Sequence, residues 1–388
     1  MAGTDDDYNL NWNNAGDSRL LALGRWSKPR YQAARMMKLS STAAAKKILG
    51  RLGTLFLALA VCSCAGSAHE RVSHGTLRAL QNRAVEASRL GVDLRGGEVD
   101  VRVEHTHGGR STVTVPMIWH HGLPAMNGML NGKPALMVMD TGSQGCLVLD
   151  ADTAVRAKVD TLRHSPDRFR LEGAFGSEPA IVGRVRQVNI GQWSIQGLPT
   201  LIRTHRSLTG GGLWRERISL DIWGMALLHQ ACSYLTLDHK REQITFGFDE
   251  SYQPQRGNAV WKVPIKFRNG LPYVQIGNGE AKWEALLDSG ANSPMEMTRE
   301  VAKRANLLAS ARTLPGQRFG VGVANSGENL NTLERVVVPR LHGLGPTMRD
   351  VPAFLVGDEP KVGSGLLANY RATIDFRRNL LWLEAPKQ

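Results

Sequence analysis

The sequence predicts a mainly β chain made of two similar lobes, related by pseudo-twofold symmetry and with a site at their interface. Three observations carry this reading. A short cassette occurs twice in the same register. The first copy is Val115-Pro116-Met117, Gly122-Leu123-Pro124 and Leu136-Met137-Val138-Met139-Asp140-Thr141-Gly142; the second is Val263-Pro264-Ile265, Gly270-Leu271-Pro272 and Ala285-Leu286-Leu287-Asp288-Ser289-Gly290. Each pair is separated by 148 positions (115 to 263, 122 to 270, 140 to 288), a regularity that chance does not readily produce. From Val113 onward, short apolar segments are broken by Gly, Pro or Asn-Gly, the pattern of strands joined by tight turns. Each copy also ends its apolar segment in an aspartate, so a twofold relation would bring two carboxylates together at the axis, as acid–base hydrolysis by a carboxylate pair requires.

At 388 residues the chain is long enough for two lobes, each able to close its own core. The expected organisation is an extension with a signal segment over 1–68, a helix and linker over 69–112, a first lobe over 113–250 and a second over 259–388. Lys and Arg (48) outnumber Asp and Glu (35). No Lys/Arg block is interleaved with aromatics, so nucleic acid is not an expected partner. Near the N-terminus, Lys46-Lys47 and Arg51 precede an apolar run, Leu52 to Val61, too short to span a bilayer comfortably. Small residues follow, Cys62-Ser63-Cys64-Ala65-Gly66-Ser67, which completes the pattern of a secretory signal. Val61-Cys62-Ser63-Cys64 resembles a bacterial lipoprotein box with Cys64 as the lipidated residue, although cysteine in its second position departs from the pattern. The other reading is cleavage after Ala68 to a soluble product. Either way the expected location is a bacterial envelope, periplasmic or membrane-anchored through the N-terminal lipid. Residues Met1 to Arg35, with Asp5-Asp6-Asp7, read as an upstream extension, because Met36 or Met37 would open a signal of conventional length.

Along the rest of the chain, Thr76 to Leu90 carries Leu77, Leu80, Ala84, Ala87 and Leu90 at helical spacing, and Gly96-Gly97 closes the segment. Val99, Val101 and Val103 alternate with charged residues, a strand signature. His105, His107, His120 and His121 lack Cys or acidic residues at zinc-ligand spacing and read as exposed loop histidines, with no metal expected. Asn131-Gly132 and Asn278-Gly279 are hairpin turns. Arg299 to Leu308 has brief helical periodicity, and Phe248 to Asn258, rich in Gln, Pro, Gly and charge, connects the halves. Cys146 and Cys232 read either as a disulfide or as two buried thiols.

Each half continues beyond its aspartate in the same way. The first runs to Ile222-Trp223-Gly224-Met225 and then Leu235-Thr236-Leu237-Asp238; the second runs to Val362-Gly363-Ser364-Gly365 and then Ala372-Thr373-Ile374-Asp375-Phe376. The aspartate-to-glycine separations are 84 positions (140 to 224) and 75 (288 to 363), so the whole unit is duplicated. This arrangement resembles the retropepsin-like aspartic proteases, with two units in one chain similar to the bilobal pepsin organisation, over roughly Val113 to Glu384. The resemblance implies two β-barrel lobes and an aspartic endopeptidase that acts on peptide or protein substrates as a monomer without a cofactor. It implies that Asp140 and Asp288 face one another and share a proton, one activating water and the other polarising the scissile carbonyl. Thr141 and Ser289 would tie the two loops together, Gly142 and Gly290 would let backbone approach the carboxylates, and Gly224 and Gly363 would let a neighbouring strand cross beneath each loop.

Such enzymes cover substrate with a glycine-tipped hairpin. Gly173-Ala174-Phe175-Gly176 is the preferred candidate, and Phe319-Gly320-Val321-Gly322 the other; neither shows the pepsin-type flap tyrosine. Lys361 departs from the family pattern, standing where an apolar residue precedes Val362-Gly363. It is expected to snorkel outward along its aliphatic stem, or else the second loop is modified. A catalytically inactive peptide-binding lipoprotein of the same fold is the alternative, disfavoured because Asp, hydroxyl and Gly are intact in both halves. An adhesin for anionic surfaces leaves the duplication unexplained. A serine hydrolase lacks its Gly-x-Ser-x-Gly elbow.

Overall fold

The hairpin signals set the architecture. In the computed structural model, which describes residues 69–93, 98–99, 103–163, 169–173, 176–209, 216–314, 333–357 and 359–386, the strands Leu123–Leu130 and Lys133–Met139 pair through Asn131-Gly132. Both turn residues have positive φ, 49° and 76°, the backbone that a two-residue turn needs to match the right-handed twist of its strands. The equivalent strands Leu271–Asn278 and Ala281–Asp288 pair in the same register in the second half, but around Gly279-Glu280, so Asn278 ends its strand, paired with Ala281, instead of opening the turn. Each second strand begins exposed and becomes continuously buried as it approaches its aspartate. Polar residues at the outer end and Met, Leu and Val at the inner end are the sequence cause of that gradient.

Each half closes a ring of six strands in the same order. In the first half the ring runs Gly176–Ile190, Trp193–Arg203, Leu147–Asp150, Asp221–Trp223, Lys133–Met139 and Leu123–Leu130, and the last strand returns to the first through Val188 and Leu130. In the second half it runs Leu333–His342, Met348–Leu355, Met295–Met297, Lys361–Gly363, Ala281–Asp288 and Leu271–Asn278, closing through Gly277 and His342. The parallel and antiparallel pairings correspond strand for strand. Ring closure removes the free edges that an open sheet of this width would expose.

A further sheet joins the halves. Asn258–Arg268, Leu380–Pro386 and Arg371–Asp375 from the C-terminal part meet Tyr234–Asp238, Gln243–Gly247 and Thr112–Pro116 from the N-terminal part. At its centre Thr236 pairs with Thr373, its own counterpart in the repeat, and their hydroxyls lie 2.8 Å apart. Leu235 meets Ile374 while Leu237 meets Ala372, the exchange that a twofold axis through the threonines demands. One apolar core, including Met139, Trp223, Leu287 and Val362, continues from one half into the other.

Several sequence expectations change. Thr76 to Leu90 is not one helix. A helix over His74–Gln81, capped by Ser73, is followed by the short strand Ala84–Val85 and then by Ala87–Leu90, which stops at Gly91 in the left-handed region. Ala84 and Val85 pair with Thr161 and Leu162, and Arg83 is ion-paired to Asp160. The edge of an existing sheet supplies hydrogen bonds that compete successfully with continuation of the helix. His105 lies in a strand against Trp193, and His107 stacks on Phe248 with ring centroids 4.4 Å apart, so neither is an exposed loop residue. Among the described residues, no group of three or more His, Cys, Asp or Glu could hold a metal ion. Cys146 and Cys232 are free buried thiols, with burial pushing both pKa values up. Val101 lies outside the described residues.

Candidate active site

Asp140 and Asp288 each stand at the inner end of a strand, and both are buried. Parallel pairing with Asp221–Trp223 on one side and with Lys361–Gly363 on the other supports the two strands. The loops that follow lock to each other reciprocally. The Thr141 amide donates to Ser289 Oγ at 3.0 Å, and the Ser289 amide donates to Thr141 Oγ1 at 2.9 Å. Thr141 Oγ1 donates to the Leu287 carbonyl at 2.7 Å, and Ser289 Oγ to the Met139 carbonyl at 2.6 Å. Serine lacks the threonine methyl but keeps both roles of the hydroxyl. Ser364 Oγ adds a bond to the Ser289 carbonyl at 2.5 Å.

The glycines beneath the loops are required by close approach. A Cβ on Gly224 would lie 2.3 Å from the Gly145 carbonyl oxygen, and one on Gly363 would lie 2.2 Å from that of Ser293. The contacted residues are 148 positions apart (145 to 293), so the two crossings are the same structure repeated. A Cβ on Gly290 would lie 2.6 Å from the Asp140 carboxyl carbon, which shows how tightly that carboxylate is set against the opposite loop. The Gly142 amide donates to Asp140 Oδ1 at 2.8 Å.

The two carboxyls are close enough for each to affect the ionisation of the other. Burial pushes the Asp140 pKa well above the ordinary carboxylate range, and the adjacent Asp288 adds to the shift. Burial also raises Asp288, but there the Lys361 ammonium opposes the shift. Lys361 does not snorkel outward. Its side chain is 1% exposed, and Nζ lies 3.2 Å from Asp288 Oδ2 and 3.9 Å from Glu296 Oε2. Burial acts to lower the Lys361 pKa, yet Asp288, Glu296 and Glu359 together hold it above its ordinary value. Two buried carboxylates and the half-buried Glu359 attract the ammonium more strongly than the solvent that its stem could reach.

Gly173 and Gly176 close the register of a hairpin formed by Phe169–Gly173 and Gly176–Ile190. Ala174 and Phe175 at its tip lie outside the described residues, as do Phe319–Gly322 and Cys64. Sequence reasoning missed Glu296 and the inward course of Lys361. The signal was available in the repeat itself, because Glu296 stands 148 positions after Val148 (148 to 296), a charge where the first copy is apolar.

Fold and site together comprise two six-stranded rings with paired aspartate loops at the junction. Residues 126–213 match the family model described as Aspartyl protease, a span that includes Asp140-Thr141-Gly142. A solved structure of a retropepsin-like aspartic protease from Rickettsia conorii is similar at 19% identity, covering 34% of this chain and 96% of that chain with a TM-score of 0.26. No curated protein matches the chain. Over that span, which holds the first aspartate loop, the chain is similar to aspartyl proteases.

Proposed function

We propose that this chain is an aspartic endopeptidase that hydrolyses peptide bonds with a water activated between Asp140 and Asp288. The observation that carries the proposal is the reciprocal Thr141–Ser289 lock, which holds two buried aspartates on facing loops across a twofold relation. Two like charges at this separation are not both ionised in a buried site, so the pair holds one proton between them. The ionised carboxylate takes a proton from water as its oxygen attacks the carbonyl carbon, and the protonated carboxyl donates to the carbonyl oxygen. When the tetrahedral intermediate collapses, the C–N bond breaks and a dyad proton passes to the leaving amine. Gly142 and the Thr/Ser lock keep the carboxyls in place, so little reorganisation accompanies the step.

Because both carboxyls are buried, a covering element has to open before a peptide enters, and the Gly173–Gly176 hairpin is the proposed flap. Cleavage of a peptide library by the wild type tests the reading. Asp140→Asn and Asp288→Asn should each remove activity by several orders of magnitude, and the double variant should be scarcely worse, because the carboxyls act as a unit. Phe175→Ala should weaken turnover more than Phe319→Ala. Near-normal turnover in either single Asp variant overturns the mechanism, and absence of cleavage by the wild type leaves a peptide-binding protein.

The export signal and the Cys64 anchor are part of the same proposal and rest on the sequence. Among the described residues, no helix is long and apolar enough to cross a membrane. The mass of the mature N-terminus decides the matter. A diacylated Cys64 supports the anchor, a terminus after Ala68 supports a soluble form, and an intact Met1 terminus contradicts export.

A further inference from the structure

The strand pair beside each dyad loop is built differently in the two halves. In the first, Val148 faces Ile222 across an antiparallel pairing, and both are buried in an apolar cluster. In the second, the same register positions hold Glu296 and Lys361, equally buried. The equivalence is unambiguous, because Ile222 and Lys361 each stand two residues before the crossing glycine, Gly224 or Gly363. One apolar pair has thus been exchanged for an ion pair, and only the exchanged pair reaches a dyad carboxyl.

The reach is direct. Lys361 Nζ lies 3.2 Å from Asp288 Oδ2, with side-chain exposures of 1% and 0%. Glu296 sits on the other side of the ammonium and accepts a hydrogen bond from Ser293 Oγ at 3.1 Å. Glu359 also faces Lys361, and its carboxylate accepts from the Tyr273 hydroxyl at 2.9 Å. Backbone amides bear on both carboxyls: the Gly142 amide donates to Asp140 Oδ1 at 2.8 Å, and the Gly290 amide acts to lower the Asp288 pKa, so the amides alone do not select Asp288 as the ionised member. An ammonium in contact with one carboxyl does, because it stabilises that carboxyl's charged form where solvent screening is weakest.

We propose that Lys361, held in place by Glu296, breaks the symmetry of the dyad, fixing Asp288 as the ionised, water-activating carboxylate and Asp140 as the protonated partner of the substrate carbonyl. The assignment rests on the endopeptidase reading for its chemical meaning, but the location of the proton can be observed without turnover. Lys361 is a positioning residue that acts through Asp288. It also extends the range over which the dyad holds a single proton, because Asp288 ionises at lower pH than an equally buried carboxyl without an ammonium beside it. Burial raises both carboxyls and Asp288 raises Asp140 further, while Lys361 is the foremost influence lowering Asp288 and only a lesser one on Asp140, behind the Gly142 amide, which is the order of ionisation required.

The test uses the full chain as wild type, as Lys361→Met, and as the double variant Lys361→Ile with Glu296→Val. The double variant rebuilds the first half's apolar pair and leaves no unpaired charge between the strands. Two readouts are needed, carboxyl 13C titration of Asp140 and Asp288 in selectively labelled protein and the pH profile of kcat/KM on a cleaved peptide. In the wild type Asp288 should ionise first. In the double variant the acidic limb should move up by about 1–3 pH units and the preference for Asp288 should vanish. A folded double variant with an unmoved limb, or a wild type in which Asp140 ionises first, overturns the assignment. If the wild type cleaves nothing but still ionises Asp288 first, the proton assignment stands and the endopeptidase reading falls.

Discussion

Asp140 is buried against Gly290, accepts the Gly142 amide and shares its surroundings with a second carboxyl. Such a group affects stability as well as chemistry. Its folded pKa is raised above the unfolded value, so its contribution to stability is present below about pH 4 and is lost as pH rises through the folded value. Asparagine fills the same volume without a charge to desolvate. Asp140→Asn should therefore melt above the wild type at neutral and alkaline pH, with the difference widening as pH rises and closing near pH 4. Thermal melts across pH 4–9 check this, and a difference that does not change with pH would show that Asp140 is not perturbed in the folded chain. The same shifts place the limbs of the pH–kcat/KM profile above the ordinary carboxylate range of about 4.

The elements that matter most are short, and hydrogen bonds rather than length give them order. The loops after Asp140 and Asp288 contain no regular structure beyond one turn, yet four hydrogen bonds through two hydroxyls couple them. Thr141→Val keeps the volume and removes the hydroxyl, leaving the Ser289 amide and the Leu287 carbonyl buried without that partner. Its expected cost is about 1–3 kcal/mol in denaturant unfolding, while Thr141→Ser should stay close to the wild type. Equal stabilities for the two variants would mean that the lock contributes nothing measurable. Element identity was legible where local chemistry decides it, as in the Asn131-Gly132 turn. It was not legible over Thr76–Leu90, where apolar residues at helical spacing are compatible both with one helix and with two helices split by a strand. The choice lay with Asp160–Leu162, whose sheet edge is formed by residues far along the chain.

At the scale of the molecule, the halves share a six-stranded sheet to which each contributes three strands. The seam runs along Tyr234–Asp238 and Arg371–Asp375, with the Thr236–Thr373 contact at its centre. Separated, each half would expose one of these buried strands as an open edge and would lose the partner hydroxyl of the dyad lock. Residues 69–250 and 259–386 produced separately should therefore aggregate, and co-refolding should yield a soluble one-to-one complex. Ultracentrifugation of the separate and mixed halves checks this, and two stable, monomeric halves would contradict it.

The sequence by itself determined the duplication, the strand-rich texture and the identity of the paired residues, because a repeat at a constant offset shows which positions are equivalent before any coordinates exist. Asp140 with Asp288 and Thr141 with Ser289 follow from that equivalence, and Gly224 with Gly363 from the matching apolar-Gly turn that follows each aspartate at its own separation. Tertiary structure alone decided how the equivalence is broken. A lysine before Val362-Gly363 reads as a surface residue, since nothing near it in sequence reveals that Asp288, Glu296 and Glu359 converge on its ammonium. Two of those carboxylates reach it from other strands and the third from the segment just before its own. A charge is buried only when its partners are buried with it, and that condition is met by the packing of the closed ring.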